Sequence, residues 1–387
     1  MNTRTTRRHP RRRSIRMIRP LVVAIGAVLA LVVATGGPAA AAIPPDTPAL
    51  SGGLDGQVYA TLVVGNTIYV GGSFSHAQTR AGASVNRGDL AAFNLSTGAL
   101  LGTWSANANG SVRSLATDGS HLYVGGTFSS IGGLSQSWLA SVNLATGAVD
   151  TGFRPRLNGA VLGLQASGGS VYAGGSFTFA GGVAQHSLAK FNGTTGARVS
   201  AYTASTDGEV TALAVSPDGS RLAVGGFVTT VSGVSRTGMA LVDTGSGNVV
   251  GPTFAFSVRP MLSLSWSDDG TALFGGSGNS NNVAARWNPT TGARSWHVTA
   301  GGDIQAIDFF DGEVYIGFHD NFQGDTHSKL VVANAQTGAL DAGFRPTFNQ
   351  FFGVRSISAG PWGVVIGGQF TNVSGVWAHN WARFPAA

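Results

Sequence analysis

VYAGGSFTFAGG, Val171–Gly182, carries two glycine pairs, Gly174-Gly175 and Gly181-Gly182. One reading makes it a glycine-rich loop whose backbone N–H groups cradle a phosphate. A dinucleotide loop of that kind must be followed by a helix, and no sustained helical period follows here. The other reading is structural, and the rest of the chain decides for it. Glycine pairs closing a short β-branched or aromatic run recur at Gly71-Gly72, Gly125-Gly126, Gly225-Gly226, Gly275-Gly276 and Gly367-Gly368, with Gly317-Phe318 as a degenerate copy. Thr-Gly markers follow at Thr97, Thr146, Thr195, Thr244, Thr291 and Thr337, spaced by 49, 49, 49, 47 and 46 residues. Two markers in step over most of the chain define a repeat.

Each unit reads as four short strands. Val112–Ser120 is an apolar alternation ending at a turn, His121–Phe128 carries the glycine pair, Leu139–Gly147 ends in Thr-Gly, and Asp150–Gly159 is polar. Strands of this length with turn residues between them, repeated seven times, predict an all-β fold, a seven-bladed β-propeller of four-stranded blades. In such a ring the first strand is innermost and neighbouring blades crowd near the axis. Glycine in the second strand then permits close backbone approach or a bulge. Phe74, Phe128, Phe177 and Phe370 are expected to fill the wedges between blades. The last unit stops at its third strand, Trp381–Ala387. The segment Ile43–Gly56 is expected to supply the missing outer strand and close the ring, leaving no open sheet edge. The propeller then spans 43–387, with 43–56 as closing strand and repeats of about 47–54 residues from 57.

The first 42 residues stand apart. Eight arginines precede an apolar stretch of 15 residues, Leu21 to Thr35, and Ala39 to Ala42 follow. That pattern is a signal peptide, too short for the roughly 20 residues of a membrane span. A secreted or cell-surface protein with no span in the mature chain is expected. Arg12-Arg13-Ser14-Ile15-Arg16 loosely matches a twin-arginine signal. Beyond residue 42, sixteen basic residues face eighteen acidic ones, a net charge of −2. The chain's basic character therefore belongs to the leader, and nucleic acid is not an expected partner. With no cysteine, disulfides, zinc–thiolate sites and thiol nucleophiles are excluded.

The runs LYVGGTF (Leu122–Phe128) and LASVNLATGAVDTGFRPRLNG (Leu139–Gly159) resemble the delta-60 repeat of secreted and surface β-propellers from actinomycete-type bacteria. VYAGGSFTFAGG with LAKFNGTTG (Leu188–Gly196), and FGGSGNSNNVAARWNPTTG (Phe274–Gly292), are similar to the same unit. The resemblance covers essentially residues 57–387 and implies a fold; it implies no activity, because that family is not defined by catalytic residues. AFNLSTG (Ala92–Gly98) and WNPTTGARSW (Trp287–Trp296) also resemble the tryptophan-docking unit of quinoprotein propellers, with Trp296 at the right spacing and Trp104 two residues too far. That likeness implies blade packing, and a quinone-dependent dehydrogenase as a remote alternative.

Function in such a ring sits on its loops or channel mouth, so the irregular copy is informative. IGFHDNFQGDTH, Ile316–His327, places His319, Asp320, Asn321, Asp325 and His327 where other copies carry Ser, Gly and Ala. Oxygens of Asp320, Asn321 and Asp325 suit Ca²⁺, which takes six to eight such ligands; with His319 and His327 a transition metal is the variant. The plain alternative is a polar loop whose Asp and Asn cap turns. Glu209 and Asp303 start inner strands, where the plain expectation is that they solvate strand ends and the alternative is that they face the channel mouth as an acid–base pair; Glu313 is the other glutamate. Among Trp362, Trp377, His379 and Trp381, Trp377 lies on a loop and suits stacking against a sugar; Trp381 takes a core position. The leading expectation is a monomeric, secreted, non-catalytic recognition module for an extracellular glycan or protein. The alternative is a polysaccharide hydrolase or lyase using Asp320, Asp325 and His327.

Deleting residues 43–56 is expected to lower the melting temperature by several degrees. An unchanged melt for the truncated chain would overturn the closing-strand assignment.

Overall fold

The computed structural model describes residues 42–387, and those residues contain strands and turns but no helix. The leader assigned to residues 1–42 lies, but for Ala42, outside the described residues. Among the described residues twelve antiparallel sheets form, and seven of them, each of three or four strands opened by a first strand of six to eight residues, follow one another along the chain. Their first strands are Gln57–Val64, Val112–Thr117, Val161–Ser167, Val210–Val215, Met261–Trp266, Ile304–Phe310 and Gly353–Gly360. Each is followed by a hairpin partner and then a third strand, so the third sheet runs Val161–Ser167, Ser170–Gly175, Leu188–Asn192. First strands of consecutive sheets lie side by side, and Gly353–Gly360 lies beside Gln57–Val64, so the order of neighbours returns to its start.

Burial follows from this placement. Val112–Thr117 alternates buried and half-buried residues, whereas His121–Gly126 is buried from Leu122 onward. A second strand is covered on both faces by adjacent sheets, so it reads as an unbroken apolar run. Seven apolar clusters form, each between two successive sheets. Phe128, Phe177 and Phe370 sit fully buried in three of them and Phe74 nearly so in a fourth. In the fourth sheet Val228 takes this position, and Phe227 beside it is exposed.

The two glycines of each pair meet different constraints. A Cβ on the first would strike the residue that opens the next sheet: Val112 Cγ1 at 2.3 Å from Gly71, Val210 Cγ1 at 2.4 Å from Gly174, and Val58 Cγ1 at 2.2 Å from Gly367. A Cβ on the second would strike a carbonyl of its own sheet: Gln57 O at 2.1 Å from Gly72, Ala160 O at 1.9 Å from Gly175. That carbonyl precedes a β-bulge, present at the same place in all seven first strands, as between Val58 and Ala60 or Val161 and Gly163. The fifth and sixth sheets carry Ser277 and Phe318 at the second position.

Two sequence expectations need correction. Fourth strands form only in the fourth and fifth sheets, as Val249–Val250 and Arg294–Thr299. Elsewhere the outer segment shrinks to one bridge, Leu100 on Phe93, Val149 on Val142, Arg198 on Phe191 and Leu340 on Ala333. Segments such as DTGFRPRLNG turn early, where Asp150 Oδ1 accepts the Gly152 N–H, and Pro155 has no N–H to offer a ladder. The Thr-Gly marker is also displaced in the fourth sheet. Asn94 Oδ1 accepts from Thr97 N and Oγ1 ahead of Gly98, and Asp243 Oδ1 does the same for Ser246 ahead of Gly247, while the Thr244 hydroxyl donates to Gly219 O.

The N-terminal segment ties the first and last sheets. Ala49 N donates to Arg383 O at 2.9 Å, as a single bridge on the last strand, and Gly53–Leu54 pairs with His76–Gln78. Asn380 Nδ2 donates to Leu54 O at 2.8 Å.

Gly174→Ala and Gly175→Ala are each expected to destabilise the protein by about 1–3 kcal/mol through overpacking. Gly175→Ala costs the more, because a backbone carbonyl cannot rotate aside as a side chain does. Equilibrium denaturant unfolding reads both values, and near-neutral values for the pair would contradict this assignment.

Candidate binding site

A β-bulge places two residues opposite one and re-aims the extra side chain. The extra residues of the first four bulges are Tyr59, Arg113, Leu162 and Thr211. Those of the last three are Leu262, Gln305 and Arg355. All seven line one cavity of about 290 Å³, together with Glu209, Asp303 and Phe227. Thr211, Leu262, Gln305 and Arg355 are shared with a second cavity of about 250 Å³ that continues between the first strands. The bulges come where first strands begin, and second strands end beside them. The connections from second to third strands therefore leave at this same end, the loop after Phe318 included.

Most of these connections are pinned by one Asx side chain. Asn109 Oδ1 accepts the N–H groups of Ser129 and Ser130, Asn158 those of Thr178 and Phe179, and Asp207 those of Thr229 and Thr230. The sixth sheet has Gly301 in place of the Asx residue, followed by Gly302 as Gly110, Gly159 and Gly208 follow it elsewhere. A Cβ on Gly301 would fall 2.2 Å from Asn321 Nδ2, and one on Gly302 would fall 2.5 Å from His319 Nδ1. The side chain missing at Gly301 lets Asn321 pack against the backbone there.

Charge in the cavity is divided. The Arg113 guanidinium lies 4.1 Å from the centre of the Tyr59 ring, with Arg355 at 5.6 Å from the same ring and 5.3 Å from Phe352. Among the described residues neither arginine forms an ion pair within 4.0 Å, although the Asp303 carboxylate favours the Arg355 charge from farther off. Burial, partly offset by Tyr59, holds the Arg355 pKa below its ordinary value, yet a guanidinium stays charged at neutral pH. Its Nε and the Gln305 Oε1 are buried without a hydrogen-bond partner. Asp303 Oδ1 accepts the Asn279 N–H at 2.9 Å. The aromatic rings continue outward: Phe352 meets Phe351 edge-on at 5.2 Å, and Lys329 Nζ is 6.0 Å from the Phe351 ring. Phe351 and Phe352 are both exposed.

The residues chosen from the irregular copy divide accordingly. His319 comes inward, its Nε2 accepting the Asp303 N–H at 3.1 Å and its ring 5.3 Å from Phe351. Burial lowers its pKa despite the Asp303 carboxylate, so the ring is neutral at pH 7, with the proton assigned to Nδ1. Asp320, in left-handed backbone geometry, gives its carbonyl to Lys329 Nζ. Asn321 Oδ1 accepts Gly324 N at 3.2 Å, and Asp325 Oδ1 accepts His327 N at 2.8 Å. His327 is 68% exposed and its Nδ1 lies 3.5 Å from Asp325. Asn321 and Asp325 thus cap turns. Among the described residues no group of three His, Cys, Asp or Glu side chains suited to a metal ion forms; of the oxygens expected to hold calcium, Asn321 Oδ1 and Asp325 Oδ1 each accept a turn N–H.

Trp377 is exposed and stacks on His379 at 4.6 Å, on a different hairpin. Trp381 is fully buried against Phe93. Trp104 and Trp296 each reach the next sheet, donating Nε1 to Leu144 O and Ala335 O at 2.9 Å. Glu209 and Asp303 line the cavity, as their places at the starts of first strands suggested, whereas Glu313 faces Phe310 across the turn at the other end. Sequence reading missed Arg113, Arg355, Tyr59 and Gln305. Their signal is a column: V-Y-A, V-R-S, V-L-G, V-T-A, M-L-S, I-Q-A and V-R-S, aligned on the glycine pairs, vary most at the middle residue.

No family model and no curated protein matches the chain. Among solved structures it is similar to the computationally designed Ika8 protein, with a TM-score of 0.55 at 15% identity, over 88% of this chain and 92% of that one. At that identity the likeness concerns the fold alone.

Asp308 faces the inner cavity. Burial pushes its pKa up to about 6, against hydrogen bonds from Ala359 N, Ser265 Oγ and Phe309 N. A folded pKa above the unfolded value gives stability that is present below about pH 4 and lost as the pH rises through about 6. The wild type should therefore lose unfolding free energy relative to Asp308→Asn as the pH rises across that window. Parallel pH curves from urea titrations would contradict it.

Proposed function

We propose that the chain is an exported seven-bladed β-propeller acting as a non-catalytic recognition module, and that its extracellular ligand, a glycan or a protein, enters the cavity at the start of the first strands. The observation that carries this reading is the convergence of seven bulge side chains of unlike chemistry on one cavity. Packing alone would fill such a centre with aliphatic residues. Here two arginines lack an ion pair, and buried polar atoms of Gln305 and Arg355 lack hydrogen bonds. A concave site with a few unpaired polar groups is the default form of a ligand pocket.

The propeller reading is supported by seven successive antiparallel sheets whose order of neighbours returns to its start. The Ala49–Arg383 bridge supports closure by the N-terminal segment. Export and kinship with delta-60 repeat proteins rest on the leader pattern and on the repeat motifs. The hydrolase or lyase alternative would rest on Asp320, Asp325 and His327. Asp325 and His327 bond to each other in an exposed turn, which supports capping over chemistry.

Screening glycan and peptide arrays with the folded protein tests this reading. Leu162→Trp, which fills the cavity, is expected to weaken binding at least about tenfold, the loss of roughly 1.4 kcal/mol, while Asp325→Ala leaves it unchanged. Saccharide cleavage abolished by Asp325→Ala would replace recognition with catalysis.

A further inference from the structure

We propose that the cavity takes an acidic saccharide, seating the carboxylate of a terminal hexuronate on Arg113 and Arg355. The inference rests on the recognition reading above and names its ligand class. Arg113 and Arg355 flank the same Tyr59 ring, 4.1 and 5.6 Å from its centre, and among the described residues neither forms an ion pair within 4.0 Å, although the Asp303 carboxylate acts on Arg355 from farther off. Two guanidinium forks converging on one cavity match a planar carboxylate, which each can bind through paired N–H donors. An anion therefore belongs there.

The rest of the lining limits which anion it is. Glu209 and Asp303 face the same space, so a ligand dense in phosphate or sulfate would meet repulsion beside the arginines. Carboxylates and the Gln305 Oε1 accept hydrogen bonds, and sugar hydroxyls donate them. Phe227 lines the cavity and Phe351 and Phe352 lie beside Arg355, all three exposed, apolar surface on which the C–H face of a pyranose stacks. One carboxylate, several hydroxyl donors and an apolar ring face describe a hexuronate. A cavity of about 290 Å³ is at the small end for ligand pockets, roughly 300–1,000 Å³, so it holds a chain end. The track through Phe352, Phe351 and Lys329 then leads the following sugars toward the loop of the sixth sheet.

Titration calorimetry of the wild type with trigalacturonate, its methyl ester and a peptide with a free C-terminal carboxylate reads the preference. Saturable binding of the acid is expected, weaker by at least about tenfold for the ester and for either Arg113→Gln or Arg355→Met, as for loss of a charge-assisted pair. It should also weaken with added salt. Because Arg355 is packed between rings, arginine Nε–H NMR signals of the wild type give a readout that needs no variant, and both should shift with the acid. Equal affinity for acid and ester, with those signals shifting, would overturn the hexuronate and leave recognition standing. Tighter binding of the peptide would overturn the saccharide class. No saturable binding of the acid at millimolar concentration would overturn the inference, and array ligands that leave the mouth signals unmoved would overturn the recognition reading itself.

Discussion

The structure depends on one contact made seven times, a bare Cα in a second strand against the side chain that opens the next first strand. Val112 on Gly71, Val161 on Gly125 and Val354 on Gly317 are instances, and Val58 on Gly367 joins last to first. Any Cβ there would push two sheets apart near the centre, where the angle between neighbours leaves no slack. Farther out the gap widens and larger groups span it. Tyr69, Tyr123 and Tyr172 donate hydroxyls to carbonyls of the next sheet, Leu144, Gly193 and Thr244. Every sheet thus lends its inner face to one neighbour and borrows a cover from the other, and none has a core of its own.

In five of the seven sheets the bulge that feeds the cavity is seated on the second glycine. Gly72, Gly126, Gly175, Gly226 and Gly368 admit a carbonyl of the first strand within about 2 Å of where a Cβ would stand. That carbonyl is part of the bulge, and the bulge turns one side chain out of the alternation and into the mouth. The glycines that first suggested a phosphate loop therefore have no ligand role of their own; they set the backbone that presents Tyr59, Arg113 and Arg355. Asp308 sits deeper among the same first strands, held by Ser265 and Ala359, and feels their burial as a raised pKa.

The repeat was legible because its markers answer backbone needs that tolerate few residues. The marker failed where another residue meets the same need: Ser246-Gly247 makes the turn that Thr244-Gly245 advertised. Outer strands were overcounted because a polar segment with Gly and Pro has the right length for a strand but not the free N–H groups. The irregular loop at 317–327 lies at the same end as the cavity, and of its marked residues His319 is the one that turns toward Asp303 at the cavity wall, accepting its N–H, while Asn321 and Asp325 cap turns. Arg113 and Arg355 stayed hidden because a polar residue after a valine looks like ordinary strand alternation; a bulge is a change of register, and register is written in two strands at once.

One bulge residue per sheet has an evolutionary consequence. Each lies outside the apolar clusters and contributes one side chain to the mouth from an equivalent backbone setting. The cavity lining is thus spelled by seven positions, Y-R-L-T-L-Q-R in chain order, none of them in the apolar clusters between sheets. On the recognition reading proposed above, divergence at one of these positions would change what the cavity accepts while the glycine contacts that join the sheets stay in place.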